Sequence, residues 1–196
     1  MKKFLVRIVW ICFAVSFPSA IWAQNRVIGT VDATIDGVDG HWYVIASGSP
    51  EEDEKSTAMW MDQGSGFGLA MISGFDSKTV TFRKRTDSVG LEPVSGTVLA
   101  ISFLFSRNES ERRIDFPTAA SDPSTVVFQP EAGNYQQLYA LEEGEMLVAK
   151  IESVEAGVYR FEGSFNGTFL ALDGEEFMEV TAGTFVIEEA RLFISP

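Results

Sequence analysis

The clearest pattern in the chain is an alternation of apolar and polar positions from Tyr159 to Ala171. The polar set of positions holds Arg160, Glu162, Ser164, Asn166 and Thr168. The other set holds Tyr159, Phe161, Gly163, Phe165, Gly167, Phe169 and Ala171. Since successive side chains of a strand point to opposite faces, this pattern predicts a β-strand with one buried face. Its glycines are expected to leave space for large rings from a facing strand or to mark a bend.

Similar apolar runs recur along the chain, separated by turn-forming residues. An amino-terminal strand is predicted to bury Val27, Gly29, Val31, Ala33 and Ile35 on one face and to end at the turn Asp36-Gly37. The turn Asp173-Gly174 predicts a second hairpin, whose return strand runs from Phe177 to Ile187 with a bulge at Gly183. The remaining predicted strands are His41 to Ala46, Ala58 to Met61, Gly68 to Ile72, Thr79 to Arg83, Val98 to Phe105, Thr125 to Gln129 and Met146 to Ile151.

Short strands in this number, with no amphipathic helix, define an all-β chain. We expect a single domain over residues 24–196, folded as a two-sheet antiparallel sandwich of about ten strands. A closed β-barrel is the alternative. The strand from Val98 to Phe105 is expected to be central, because Leu99, Ile101, Phe103 and Phe105 share one face. Two stretches lack the pattern and are predicted to be loops, Ser47 to Ser56 and Arg107 to Ser124.

The first 23 residues have the layout of a secretory signal peptide. Lys2, Lys3 and Arg7 precede the apolar run from Ile8 to Phe17, and small residues lead to Ala23. The apolar run is too short for a membrane-spanning helix, which needs about 20 residues. The sequence therefore predicts cleavage after Ala23, with a cut after Ala20 as the alternative, and export to the periplasm or the extracellular space.

Removal of that segment makes the chain more acidic and leaves it without cysteine. The remaining 12 basic and 28 acidic residues give a net charge of −16, and the single cysteine, Cys12, lies in the predicted signal. Such a surface repels nucleic acid and anionic lipid, so neither is an expected partner. No cofactor is expected, and no transmembrane segment is predicted in the mature chain.

Catalytic and metal-binding signatures are sparse. His41 is the only histidine, and no G-x-S-x-G nucleophile elbow accompanies it, so no catalytic residues are assigned and His41 is expected to be an ordinary edge or packing residue. Asp32, Asp36 and Asp39 are weak calcium candidates, because oxygen ligands around a turn suit that ion. The same residues are also what hairpin turns require.

Positive charge is concentrated in the middle of the mature chain. This possible binding surface for an anionic partner comprises Arg83, Lys84, Arg85, Arg107, Arg112 and Arg113. After residue 130 the balance reverses, with 13 acidic and three basic residues. The alternative is that these bases are solvated strand ends. The aromatic residues Trp42, Tyr43 and Trp60 are expected to fill the core rather than to form an exposed platform.

The carboxyl-terminal part of the chain resembles a group of known proteins. Gly163-Ser164-Phe165, followed by Thr181-Ala182-Gly183-Thr184-Phe185, is similar to the ending of small uncharacterised secreted or periplasmic β-sandwich proteins of bacteria. The resemblance implies bacterial export and an all-β fold, and it supplies no site residues.

These observations favour a non-catalytic interaction module of the bacterial envelope or periplasm, with an unidentified protein or small-ligand partner. Two alternatives remain open. One is a carrier that holds a small apolar ligand in a barrel cavity. The other is a hydrolase that uses carboxylates or a serine with His41.

Overall fold

A computed structural model describes residues 25–47, 55–80, 82–84, 91–93, 95–134 and 136–193. These ranges contain thirteen strands and no helix, so the all-β prediction is confirmed, and ten of the strands have five residues or more. The strands are β1 (Arg26–Ile35), β2 (Val38–Ser47), β3 (Lys55–Ser56), β4 (Ala58–Gly64), β5 (Phe67–Phe75), β6 (Phe82–Lys84), β7 (Leu91–Pro93), β8 (Val98–Ser106), β9 (Arg112–Phe116), β10 (Thr125–Gln129), β11 (Tyr139–Glu155), β12 (Val158–Ala171) and β13 (Phe177–Leu192).

Eleven of the strands form one continuous hydrogen-bonded sheet, which folds into two facing layers around one core in a sandwich-like arrangement. One layer has the order β1-β13-β12-β11, and the other has the order β2-β5-β8-β10, with neighbouring strands antiparallel. The layers are hydrogen-bonded to each other where β1 meets β2 and where β10 meets β11. Strand β4 pairs with β5 and, in parallel, with β13. Strand β9 pairs with β11, β3 pairs with β2, and β6 and β7 form a separate hairpin.

Aromatic rings from the two layers fill the space between them. Phe103 of β8 packs edge-on against Phe161 of β12, with ring centroids 5.1 Å apart, and lies 6.2 Å from Phe185 of β13. Near the other end of the core, Phe128 of β10 stacks on Phe169 of β12 at 6.3 Å. The predicted apolar faces of β8 and β12 are therefore the core faces, and β8 lies between β5 and β10 as a central strand.

Two glycines make room for two of these rings. Gly163 of β12 pairs with Phe185 of β13, and Gly183 of β13 pairs with Phe165 of β12. A Cβ on Gly163 would overlap the Phe185 ring, and one on Gly183 would lie 2.6 Å from the Phe165 ring. Each ring thus covers the glycine on the neighbouring strand. The rings come from the paired strand of the same layer and not from a facing strand, so the predicted source of the rings is wrong. Opposite residues of paired strands lie side by side on one face, which brings each ring over its partner glycine.

The amino-terminal strand departs from its predicted pattern at one end. A β-bulge between Val27 and Gly29 turns Ile28 into the core, where it is 2% exposed, and leaves Val27 39% exposed. The prediction that Val27 is buried is wrong, because an extra residue in one strand reverses the alternation beyond it. From Gly29 to Ile35 the predicted face is buried, and the turn at Asp36 and Gly37 has positive φ angles at both residues.

The predicted loop from Arg107 to Ser124 contains strand β9. Its register places Ile114 opposite Met146 of β11, and both Ile114 and Phe116 are buried. The loop prediction is wrong here because only two apolar residues mark the strand, among charged neighbours. The other predicted loop, Ser47 to Ser56, contains the last residue of β2 and both residues of β3. Residues 48–54 lie outside the described ranges.

Within the described ranges, no helix is long and apolar enough to cross a membrane.

Trp42 and Trp60 are each 3% exposed and therefore belong to the core. The indole N–H of Trp42 donates to the Thr97 hydroxyl at 2.8 Å, and that of Trp60 donates to the Gly157 carbonyl at 3.0 Å.

Candidate functional site

His41 lies on the outer side of β2, beside β1. Its Nδ1 contacts the Asp32 carboxylate, and its ring meets the Tyr43 ring edge-on at 4.5 Å. Both side chains of the His41–Asp32 pair are about half exposed, at 43% and 51%. No serine hydroxyl in the described part of the chain bonds to His41. Its surroundings are those of a surface ion pair on a strand.

The three calcium candidates bind three different partners. Asp32 contacts His41, Asp36 accepts a hydrogen bond from the Glu179 backbone N–H at 2.8 Å, and Asp39 accepts one from the Thr34 hydroxyl at 2.6 Å. Over the ranges that the structure covers, no group of three or more His, Cys, Asp or Glu side chains is arranged to hold a metal ion. These aspartates act as turn and strand-edge residues.

The predicted basic surface is divided among separate ion pairs. Arg107 pairs with Asp62 at 3.2 Å, and Arg112 pairs with Asp122 at 3.1 Å. Arg113 contacts both Asp115 and Glu145. Arg83 and Lys84 belong to β6, and Arg85 lies outside the described residues. Arg107, Arg112 and Arg113 therefore have acidic partners within the chain, which reduces their attraction for an anionic ligand.

The concave feature of interest lies on β12 and β13 and was not predicted from the sequence. It is a depression of about 460 Å³, which we call the bend depression. Its lining residues come from the two strands where both shift their pairing register: Asn166, Gly167, Thr168, Phe177, Glu179, Val180 and Thr181.

Close backbone contact and a bulge produce this bend. Gly167 of β12 pairs with Gly144 of β11, and their φ angles are +144° and +127°. A Cβ on Gly167 would overlap the carbonyl oxygen of Glu143, so the strands can approach only because both residues are glycine. On β13 the bulge includes Ala182, with φ +51°. The predicted bulge at Gly183 is thus present, with the positive φ one residue earlier.

Phe177 stands at the rim of the bend depression and is 74% exposed, the highest value among the exposed large apolar side chains of the described residues. It was predicted only as the first residue of a strand. Leu172, in the connection between β12 and β13, is 44% exposed. The next residue along β13, Met178, packs against the core instead. An exposed aromatic ring beside a depression is a feature of ligand and protein contact sites.

A hydrogen bond fixes the connection between β12 and β13 next to this rim. The connection spans five residues rather than the predicted two, and Gly174 in it has φ +79°. The buried Tyr139 hydroxyl donates to the Glu176 carboxylate at 2.7 Å, and the Ala171 N–H donates to the Glu176 carbonyl at 2.8 Å. Phe177 follows Glu176 directly, so this bond also positions the exposed ring.

We expect this bond to make the stability of the protein depend on pH in alkaline solution. The hydrogen bond to Glu176, then burial and then the charge of Glu176 raise the pKa of Tyr139 from 10.0 to about 12. A pKa raised in the folded state gives stability that is present below pH 10 and lost as the pH rises to 12. Urea unfolding at several pH values should therefore show a steeper alkaline loss for the wild type than for Tyr139→Phe.

A spectroscopic titration supplies the control for this expectation. The difference in tyrosinate absorbance between the wild type and Tyr139→Phe should rise near pH 12 and move toward pH 10 in Glu176→Gln. A difference titration already centred at pH 10 in the wild type would contradict the assigned bond.

The electrostatic surroundings of the bend depression are one-sided. Glu143, Thr168 and Glu179 are opposite one another on β11, β12 and β13, and both glutamates are exposed. In the part of the chain that the structure describes, neither glutamate forms an ion pair. Toward the other end of the same strands, Lys150 pairs with Glu152 at 2.9 Å and Arg160 pairs with both Glu162 and Glu188. Unbalanced negative charge therefore lies beside the bend.

The sequence predicted only the backbone features of this site. The expected bend lies at Gly167, and Gly163 instead leaves space for a ring. The exposure of Phe177 carried no sequence signal, because a phenylalanine at the start of an apolar run is expected to be buried.

Comparison with known proteins does not assign the site. No protein-family model matches the chain, and neither curated proteins nor solved structures give a match. The resemblance to secreted bacterial β-sandwich proteins stays a prediction.

Proposed function

We propose that the protein is an exported, non-catalytic interaction module of the bacterial envelope or periplasm. The observation that carries the proposal is the contrast between a filled interior and an exposed aromatic depression on the outside. Rings of the two layers contact one another across the core, as Phe105 does with Tyr159 at 5.0 Å and with Phe161 at 5.2 Å. A surface with a depression and an exposed ring supports binding through the outer face of the sheet.

The proposal of export rests on the amino-terminal sequence, which predicts where the mature chain begins. Mass spectrometry of the mature protein from the native host should find a new amino terminus at or near Gln24, since a signal peptidase cuts after small residues such as Ala23. Mature protein that keeps Met1 would contradict the export proposal.

Site-specific cross-linking in intact host cells tests the interaction proposal. The predicted mature chain has no cysteine, so a photoreactive maleimide will label one introduced thiol. Suitable positions are the partly exposed Thr168→Cys in the bend depression and the exposed Asp115→Cys on β9 and Glu155→Cys at the end of β11. We expect a discrete adduct from at least one position, and no adduct from any of them would reject the interaction module.

Two further measurements separate the competing classes. A screen of ester, glycoside and peptide substrates should show no turnover, and adding His41→Ala to the cysteine variants should leave their adducts unchanged. Turnover that disappears in His41→Ala would favour a hydrolase. An apolar fluorophore that saturates at one molecule per folded chain and becomes shielded from aqueous quenchers would favour a carrier.

A further inference from the structure

We propose that the bend depression binds a basic polypeptide segment, with a lysine or arginine side chain lying between the Phe177 ring and the Glu179 carboxylate. The inference rests on the proposed interaction function and adds the contact surface and the chemistry of the partner. Phe177, Glu179, Glu143 and Thr168 carry the argument.

The shape of the bend depression suits a side chain with its flanking backbone. Its volume of about 460 Å³ is within the range of about 300–1,000 Å³ found for small-ligand sites. Gly167 contributes no side chain to the lining, and Thr168 and Thr181 contribute hydroxyls that can donate to or accept from a peptide group. The site therefore offers a recess with polar sides.

The exposed ring of Phe177 favours a cation or an apolar group as the occupant. An ammonium or guanidinium group over an aromatic face gains about 0.5–1 kcal/mol at exposed sites. Within this chain, Lys78 makes such a contact with a partly exposed ring, its Nζ lying 4.9 Å from the Tyr43 centroid.

The charge beside the ring selects the cation. Glu143 and Glu179 are separated by one strand, which places their backbones about 10 Å apart at the usual strand spacing. That separation is close to the Debye length of about 8 Å at physiological ionic strength, so both carboxylates act on a cation placed near Thr168. Arg113, which contacts Glu145 beside the bend, is also paired with Asp115, and Arg160 and Lys150 further along the strands are paired with other glutamates.

The same features disfavour other occupants. Nucleic acid and anionic lipid would be repelled by the unbalanced glutamates. A bare metal ion would need several converging oxygen ligands, and no such group exists among the described residues. A polypeptide segment can supply both a cationic head and the backbone groups that match the threonine hydroxyls.

Fluorescence anisotropy with two labelled peptides tests the proposal. The probe is a nine-residue peptide of alternating lysine and leucine, and its control has glutamate in place of lysine. We expect the lysine peptide to bind and the glutamate peptide not to bind. Since exposed ion pairs and cation–π contacts are each modest, Glu179→Gln and Phe177→Ala should each weaken binding about three- to tenfold.

Matched variants at the other end of β11 separate local contact from net charge. Glu155→Gln removes the same charge as Glu179→Gln, and Val154→Ala truncates another exposed apolar side chain, 56% exposed. Both should bind the lysine peptide as the wild type does, and all four variants should keep the wild-type melting temperature. Equal weakening by Glu155→Gln and Glu179→Gln would overturn the proposal, as would no binding at millimolar peptide.

Failure here is distinguishable from failure of the interaction module. A cross-linked adduct from Asp115→Cys or Glu155→Cys alone, together with no effect of Glu179→Gln on peptide binding, would keep the module and reject this surface. Adducts confined to Thr168→Cys, with weakened peptide binding in Phe177→Ala, would support both.

Discussion

Phe165→Ala should lower the free energy of unfolding by about 3–5 kcal/mol, a large share of the roughly 5–15 kcal/mol that stabilises a typical domain. Phe165 is 1% exposed on the core face of β12, and its ring covers Gly183 on β13. Truncation removes apolar contacts and leaves a cavity over a residue that has no side chain to fill it. Chemical denaturation with a linear extrapolation measures the loss.

Thr168→Ala is the matched control for this expectation. Thr168 lies three residues further along β12, on the outer face and partly exposed, so its truncation should change stability far less. Both substitutions introduce alanine on β12, and they differ in the face of the strand on which the side chain lies. Similar losses for the two variants would contradict the assignment of faces on β12.

The alternation of side chains predicted the centre of this molecule well because burial there is uniform. On β8 the four residues of the predicted face are at most 1% exposed, and all four lie on a regular ladder with β5. Leu99 and Ile101 also pair with β10. A regular ladder preserves the period of two, so the sequence pattern and the buried face coincide. At such positions, the sequence of the strand alone is enough to predict which face is buried.

Departures from the pattern occur where an extra residue enters a strand. The bulge after Val27 reverses the faces at the start of β1, and the bulge at Ala182 interrupts β13. Bulges depend on what the partner strands require, and the sequence of one strand does not contain that information. Strand β9 was missed for a related reason, since Ile114 and Phe116 are buried by contacts with β11 rather than by a long apolar run.

Candidate chemistry was harder to predict because charge in the sequence does not reveal pairing. The basic residues between Arg107 and Arg113 looked like one surface, yet each one has an acidic partner in the fold. The unbalanced charge instead lies at Glu143 and Glu179, far apart in sequence and joined by the register of three strands. The pairing of the strands brings these residues together, so their positions in the sequence do not predict the site.

A second large effect is expected at the bend itself, from Gly167→Ala. With φ at +144°, residue 167 has a backbone conformation that L side chains rarely adopt, and such conformations cost about 1–3 kcal/mol. The added Cβ would also overlap the carbonyl oxygen of Glu143 and crowd Gly144, so β11 and β12 would have to separate. We therefore expect a loss of about 3 kcal/mol or more in the free energy of unfolding.

Gly174→Ala isolates the contribution of close approach. Gly174 also has a positive φ, +79°, but a Cβ there would have nothing within 4 Å. The free energy of unfolding of Gly174→Ala should fall by only about 1–2 kcal/mol, which is the cost of a left-handed residue alone. Urea unfolding of both variants under one condition gives the difference, which measures how tightly β11 and β12 meet at Gly144. Equal losses in the two variants would mean that the strands can separate at no cost, and the bend would then not depend on a glycine at position 167.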